Sequence, residues 1–113
     1  NFIYMEGNMS IKIYNKLVRD KIPEIIEKDG KRAKTKKLGD EEYINALNLK
    51  LSEELEEYLE TNSIEELADM METIYGILDY NNVSIEKFEE IRNKKARERG
   101  GFKERILLIK VED

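Results

Sequence analysis

Two pairs of carboxylates carry the chemical interest of this 113-residue chain. Glu54 and Glu57 stand three residues apart, and so do Glu66 and Asp69. Side chains three apart on a helix share a face, so each pair can converge on one ion. Only residues 58–65 separate the pairs. So short a connection folds two helices into an antiparallel hairpin and brings Glu57 near Glu66. Two like charges ~4 Å apart at an effective dielectric of ~20 repel by about 4 kcal/mol. Four gathered carboxylates therefore need protons, cations or wide spacing. A divalent ion answers that need and creates a Lewis acid. The competing account is composition. Nine acids lie between 53 and 72, so ExxE and ExxD spacings arise readily by chance.

The chain has no Cys and no His. That excludes disulfides, Cys/His zinc sites, and Ser-His-Asp or Cys-His catalysis. Any metal must be held by carboxylates, carbonyls or water, ligands that suit Mg²⁺ or Mn²⁺. Absence of Cys fits a cytoplasmic protein. No apolar stretch approaches the ~18–20 residues of a membrane span, so no membrane partner is expected.

Net charge is −5, unevenly placed. Residues 11–50 hold 11 Lys/Arg against 7 Asp/Glu, a net of +4. Residues 51–86 hold 11 Asp/Glu and no Lys or Arg, a net of −11. Residues 87–113 hold 9 Lys/Arg against 6 Asp/Glu, a net of +3. A solvated helix face normally mixes signs, because i,i+4 Glu–Lys pairs help and like pairs hurt. Here either the basic flanks fold over the acidic block or cations bind it. An acidic centre between basic flanks also suits a polyphosphate with its metal. Nucleic acid is disfavoured as a partner, since no net-basic surface is implied.

The elements that position these groups are helical, and the expected fold is all-α. It is a small helical bundle built round an antiparallel helical hairpin. Residues 1–8 fit no periodic pattern and are set aside as a leader or tag remnant; residues 9–113 form a single domain. Residues 11–17 alternate in part and can enter as an extended segment. Val18, Ile22, Ile25 and Ile26 mark a first helix, with Pro23 in its first turn and Asp29-Gly30 at its end. Asp40 is the expected N-cap of a second helix, reaching about Glu60, with Ile44, Leu47, Leu51, Leu55 and Tyr58 as its stripe. Ser63 caps a third, reaching about Tyr80, and Ser63-x-x-Glu66 has the form of a capping box. Ser84 caps a fourth, ended by Gly100-Gly101. The runs 31–38 and 105–111 are candidates for a short two-stranded β ribbon.

At about 100° per residue, Glu54 and Glu57 fall on the flank of the second helix's stripe, with Glu53, Glu56 and Glu60 opposite. The third helix has its main stripe at Leu67, Met71, Ile74 and Leu78, and a second apolar edge at Met70 and Ile77. Apolar on two sides, it is buried on two sides. One short chain has too few helices for both, so a homodimer or homotetramer is expected.

Three segments together resemble a known family. Glu53-Glu54-Leu-Glu-Glu57 followed by Glu66-Leu-Ala-Asp69 resembles the ExxE…ExxD signature of the MazG-like all-α nucleoside triphosphate pyrophosphohydrolases. Tyr14-Asn-Lys-Leu-Val-Arg-Asp-Lys-Ile-Pro-Glu24 looks like the KLVRDKIP opening of the phosphoribosyl-ATP pyrophosphohydrolase-like subgroup. Lys94-Lys-Ala-Arg-Glu-Arg-Gly-Gly-Phe102 looks like its basic RGGF ending. The likeness covers about residues 12–111. The linker between Glu57 and Glu66 is shorter than in many members, which argues against the dedicated histidine-biosynthesis enzyme.

The resemblance implies Mg²⁺ (or Mn²⁺) ligands at Glu54, Glu57, Glu66 and Asp69. The implied reaction converts an NTP and water to NMP and pyrophosphate. Glu54 and Glu57 would be catalytic, with Glu54 favoured to take the proton from water. Lys16, Arg19, Lys95 and Arg99 would bind substrate phosphate, Arg through paired donors. Two alternatives stand beside this expectation: action on a phosphoribosyl nucleotide, or a non-catalytic helical module whose acidic face binds a basic partner.

Overall fold

The computed structural model describes the backbone of residues 2–6 and 9–113, with side chains from Ser10 onward. Four helices dominate it: α1 (Ile22–Lys28), α2 (Asp40–Thr61), α3 (Ile64–Tyr80) and α4 (Ile85–Arg99). They are preceded by β1 (Phe2–Glu6) and β2 (Met9–Ile13), paired antiparallel from Phe2↔Ile13 to Glu6↔Met9. The fold is all-α, as expected, apart from this ladder. No helix among the described residues is long and apolar enough to cross a membrane. The chain divides into a unit ending at Ile77 and a second running from Leu78 to Asp113.

In the first unit, Asn15 takes a left-handed backbone (φ 46°) that turns the chain out of β2. The segment 16–21 then leads into α1, where Pro23 sits in the first turn. Gly30 at φ 82° ends the departure from α1. Residues 31–39 are irregular. Helix α2 ends on Asn62 in the left-handed region, whose N–H donates to the Tyr58 carbonyl. Only Asn62 and Ser63 separate α2 from α3, which makes the two an antiparallel hairpin.

The hairpin packs at Leu47 and Gly76. A Cβ built on Gly76 would lie 3.0 Å from Leu47 Cδ2 and 3.8 Å from Tyr43 Oη. The missing side chain thus lets α3 approach α2 closely. Leu47, 4% exposed, is the one buried apolar side chain among the described residues.

In the second unit, Ser84 caps α4 by accepting from the Lys87 N–H at 3.0 Å. Gly100, at φ 81°, ends it. The solvent side of α4 is laced by Arg92–Glu89, Lys87–Glu90 and Lys94–Glu98 pairs. The tail beyond Gly101 has no regular structure, and Ile106 to Ile109 are almost wholly exposed.

Several expectations are corrected. Neither 31–38 nor 105–111 forms a strand. A strand needs a ladder partner, and neither segment finds one. The cations of the first segment turn to acids instead, as in Lys31–Asp29 and Lys36–Glu42. The β ribbon is β1–β2, in which Phe2–Glu6 pairs with Met9–Ile13. Asn1, Gly7 and Asn8 of the expected leader lie outside the described residues. The cap of α2 is Gly39; Asp40, Glu41 and Glu42 occupy the first turn, where the helix dipole favours anions. The capping box at Ser63 does not close. The Ser63 hydroxyl accepts from the Glu65 N–H at 3.3 Å, while the Ser63 N–H donates to Thr61 Oγ1 at 3.2 Å. Glu66 is thereby left free to face α2.

Candidate metal centre

The hairpin register builds the site. From Leu47 to Glu54 on α2 is two turns, and from Gly76 to Asp69 on α3 is two turns the other way. Helices that touch at 47 and 76 therefore bring 54 opposite 69. One further turn toward the linker brings Glu57 opposite Glu66.

One carboxylate oxygen each from Glu54, Glu66 and Asp69 lies within 4.8 Å of the others. An octahedral Mg²⁺ shell at ~2.1 Å sets neighbouring oxygens about 2.9 Å apart and opposite ones about 4.2 Å apart. Small side-chain rotations close that difference. Glu54 is 6% exposed; Glu66 and Asp69 are half-buried. Glu54 Oε2 and Glu66 Oε2 are buried, and neither has a hydrogen-bond donor. Buried acceptors without donors are costly, and either a proton or a hard cation would satisfy both. Three oxygen donors of this kind fit a divalent ion such as Mg²⁺.

The electrostatics show the strain of the grouping. Burial, then the Glu57 charge, raises the Glu54 pKa; Lys50 opposes this and Asp69 adds to it. Burial also raises Glu66, to about 7, helped by a hydrogen bond to Glu57 and by the charges of Glu57 and Glu54. Glu66 is thus the carboxyl of the group whose pKa is raised to near neutrality.

Of the four expected ligands, three form the trio. Glu57 is half-buried beside it, within hydrogen-bonding reach of Glu66. Glu56 and Glu60 are exposed, as the helical projection requires. Glu53 is corrected: it is half-buried and accepts from Lys16 Nζ at 2.8 Å, which holds its carboxyl below the usual range. The N-terminal segment lies over that side of α2, a path no helical projection contains.

Of the expected phosphate-binding cations, two reach the acidic region. Lys16 is on Glu53, and Arg19 Nη2 donates to Asp69 Oδ1 at 2.6 Å. Lys95 and Arg99 are exposed on α4, in the second unit. Sequence reasoning missed Lys50, whose Nζ is 3.6 Å from Glu54 Oε1 with its side chain 22% exposed. Its signal was present: Lys50 is the last cation before the anionic block and stands four residues before Glu54.

No protein-family model, no curated protein and no solved structure matches this chain.

Proposed function

We propose that the protein is a Mg²⁺-dependent nucleoside triphosphate pyrophosphohydrolase of the MazG-like kind, producing NMP and pyrophosphate. The observation that carries the reading is the trio Glu54, Glu66 and Asp69, with two buried oxygens lacking donors, on an antiparallel hairpin. The KLVRDKIP-like and RGGF-like segments support it from the sequence.

Under this reading Glu54, Glu66 and Asp69 hold the ion, and Glu57 completes the acidic wall. A bound Mg²⁺ would supply Lewis-acid polarisation and an acidified water. Glu54 and Glu57 share the catalytic work. Glu54, favoured for the proton from the resemblance, belongs to the trio as a ligand, so Glu57, outside it, is the freer of the two to accept a proton from the attacking water. Arg19 and Lys16, carried by the segment before α1 and paired with Asp69 and Glu53, would meet phosphate oxygens in this reading. Lys50 tempers the charge of Glu54 from within α2.

The protein works as a homodimer or homotetramer in this reading. Leu49, Leu59 and Ile64 on the hairpin are 65–75% exposed, and among the described residues Leu47 is the one buried apolar side chain, a small core for a chain of this length. A second copy would cover these side chains.

The test is turnover of a panel of NTPs and dNTPs with Mg²⁺, resolving nucleotide products and assaying pyrophosphate and orthophosphate separately. Formation of the monophosphate with pyrophosphate supports the proposal. Orthophosphate as the sole inorganic product contradicts it. No turnover, together with no metal binding by calorimetry, would favour the acidic interaction module.

A further inference from the structure

We infer that Arg19 is the exchangeable counter-ion of the carboxylate trio: it occupies Asp69 while no divalent ion is bound, and transfers to a substrate phosphate when one is. This rests on the proposed pyrophosphohydrolase reading and adds an order of events at its site.

Among the described residues three cations contact the acidic region, Lys16, Lys50 and Arg19, and they are not equivalent. Lys16 is held by Glu53, which is outside the trio. Lys50 is held by Glu54, but its side chain is only 22% exposed and it belongs to the same helix as its partner. Among the described residues, Arg19 alone pairs with a trio carboxylate from a different segment through an exposed contact. Its side chain is 55% exposed and that of Asp69 42%. The segment carrying it has no regular secondary structure between β2 and α1. Exposed pairs of this kind are weak and are readily exchanged.

The geometry of the guanidinium adds a second point. Arg19 spends one nitrogen, Nη2, on one oxygen of Asp69. A guanidinium presents five donors in a planar fork suited to paired oxygens, so most of its donor capacity is unused in this contact. A divalent ion taking up the charge of Asp69 removes the reason for Arg19 to stay. A phosphate group beside that ion offers the fork two oxygens at once. Asp69 and phosphate are thus successive partners of one side chain. The exchange avoids leaving Asp69 uncompensated before the ion arrives.

The inference is tested by Mn²⁺ binding, with tripolyphosphate as the phosphate probe, on wild type, Arg19→Gln, Arg19→Lys and Lys16→Gln. Circular dichroism checks that each variant is folded. Without tripolyphosphate, Arg19→Gln should bind Mn²⁺ about fivefold more tightly than wild type, the scale of an exposed pair. Lys16→Gln should change Mn²⁺ affinity less than twofold. With Mn²⁺ saturating, wild type should bind tripolyphosphate about fivefold more tightly than either Arg19 variant, because Lys lacks the fork. Unchanged or weaker Mn²⁺ binding in Arg19→Gln would overturn the inference while leaving the metal site standing. Equal tightening in Arg19→Gln and Lys16→Gln would also overturn it, since net charge alone would then be the cause. Wild type that binds no Mn²⁺ would overturn both the inference and the proposed function.

Discussion

Leu47 on α2 lies against Gly76 on α3, so close that a Cβ at position 76 would meet Leu47 Cδ2 at 3.0 Å. This contact sets the separation of the helices that carry Glu54 and Asp69. Gly76→Val should overpack it, costing about 1–3 kcal/mol, and should weaken Mg²⁺ binding two helical turns away. Leu47→Ala alone should cost about 2–5 kcal/mol. The double variant should be less destabilised than the sum, because the truncated Leu47 makes room for the valine. Denaturant melts of the four proteins check this cycle, and strict additivity would show that the contact does not fix the spacing.

The acids of α2 should separate into two classes. Glu54→Gln removes a buried like charge, so the metal-free protein should melt roughly 4–8 °C higher, the shift about 1 kcal/mol produces at this size. The same variant should lose Mg²⁺ binding and turnover. Glu56→Gln and Glu60→Gln, at exposed positions, should leave both unchanged. Thermal melts with and without Mg²⁺, beside activity assays, decide it. Equal effects at all three positions would deny Glu54 any special place.

Glu66 makes stability depend on pH. Its folded pKa, about 7, lies above the ordinary carboxyl value of 4.5. Between those values the native state binds more protons than the unfolded state, so metal-free stability should fall as pH rises from about 4.5 to 7. The stabilisation is complete below that window and lost above it. If Mg²⁺ binds the trio as proposed it would replace the proton, so the rise in Tm on adding Mg²⁺ should grow across the same window. Melts from pH 5 to 8 measure both trends, and Glu66→Gln should flatten them.

Assembly should be visible in the exposed leucines. In a monomer, Leu59, 65% exposed on α2, tolerates Asp with little change. In an oligomer that covers it, Leu59→Asp should lower the mass seen by light scattering, the Tm and the turnover together. Ile77→Asp, at the half-buried second edge of α3, should act in the same direction. A fully active wild-type monomer at micromolar concentration would contradict this.

Helical periodicity made the hairpin legible because it is local: a short break and apolar stripes each act within a few turns, whereas the caps expected at Asp40 and in the Ser63 box do not form. It also placed Glu54 on the packed side and Glu56 and Glu60 outside. Asp69 was not selected by periodicity; the ExxD likeness supplied it, and the register through Leu47 and Gly76 explains it. Glu53 was misplaced because its environment depends on where a segment 37 residues earlier runs. The apolar run 106–111 resembled a strand, since periodicity reports propensity and says nothing of a ladder partner. Lys50 stands at the edge of the anionic block, outside it, where a pattern of acids alone does not point.

The most direct test of the central claim is a phosphorus NMR time course of a nucleoside triphosphate with the protein and Mg²⁺. Monophosphate and pyrophosphate should rise in equal amounts with no diphosphate, the reaction should halt on chelation of Mg²⁺, and Glu54→Gln should give no reaction. Diphosphate with orthophosphate, or pyrophosphate release undiminished in Glu54→Gln, would contradict the claim.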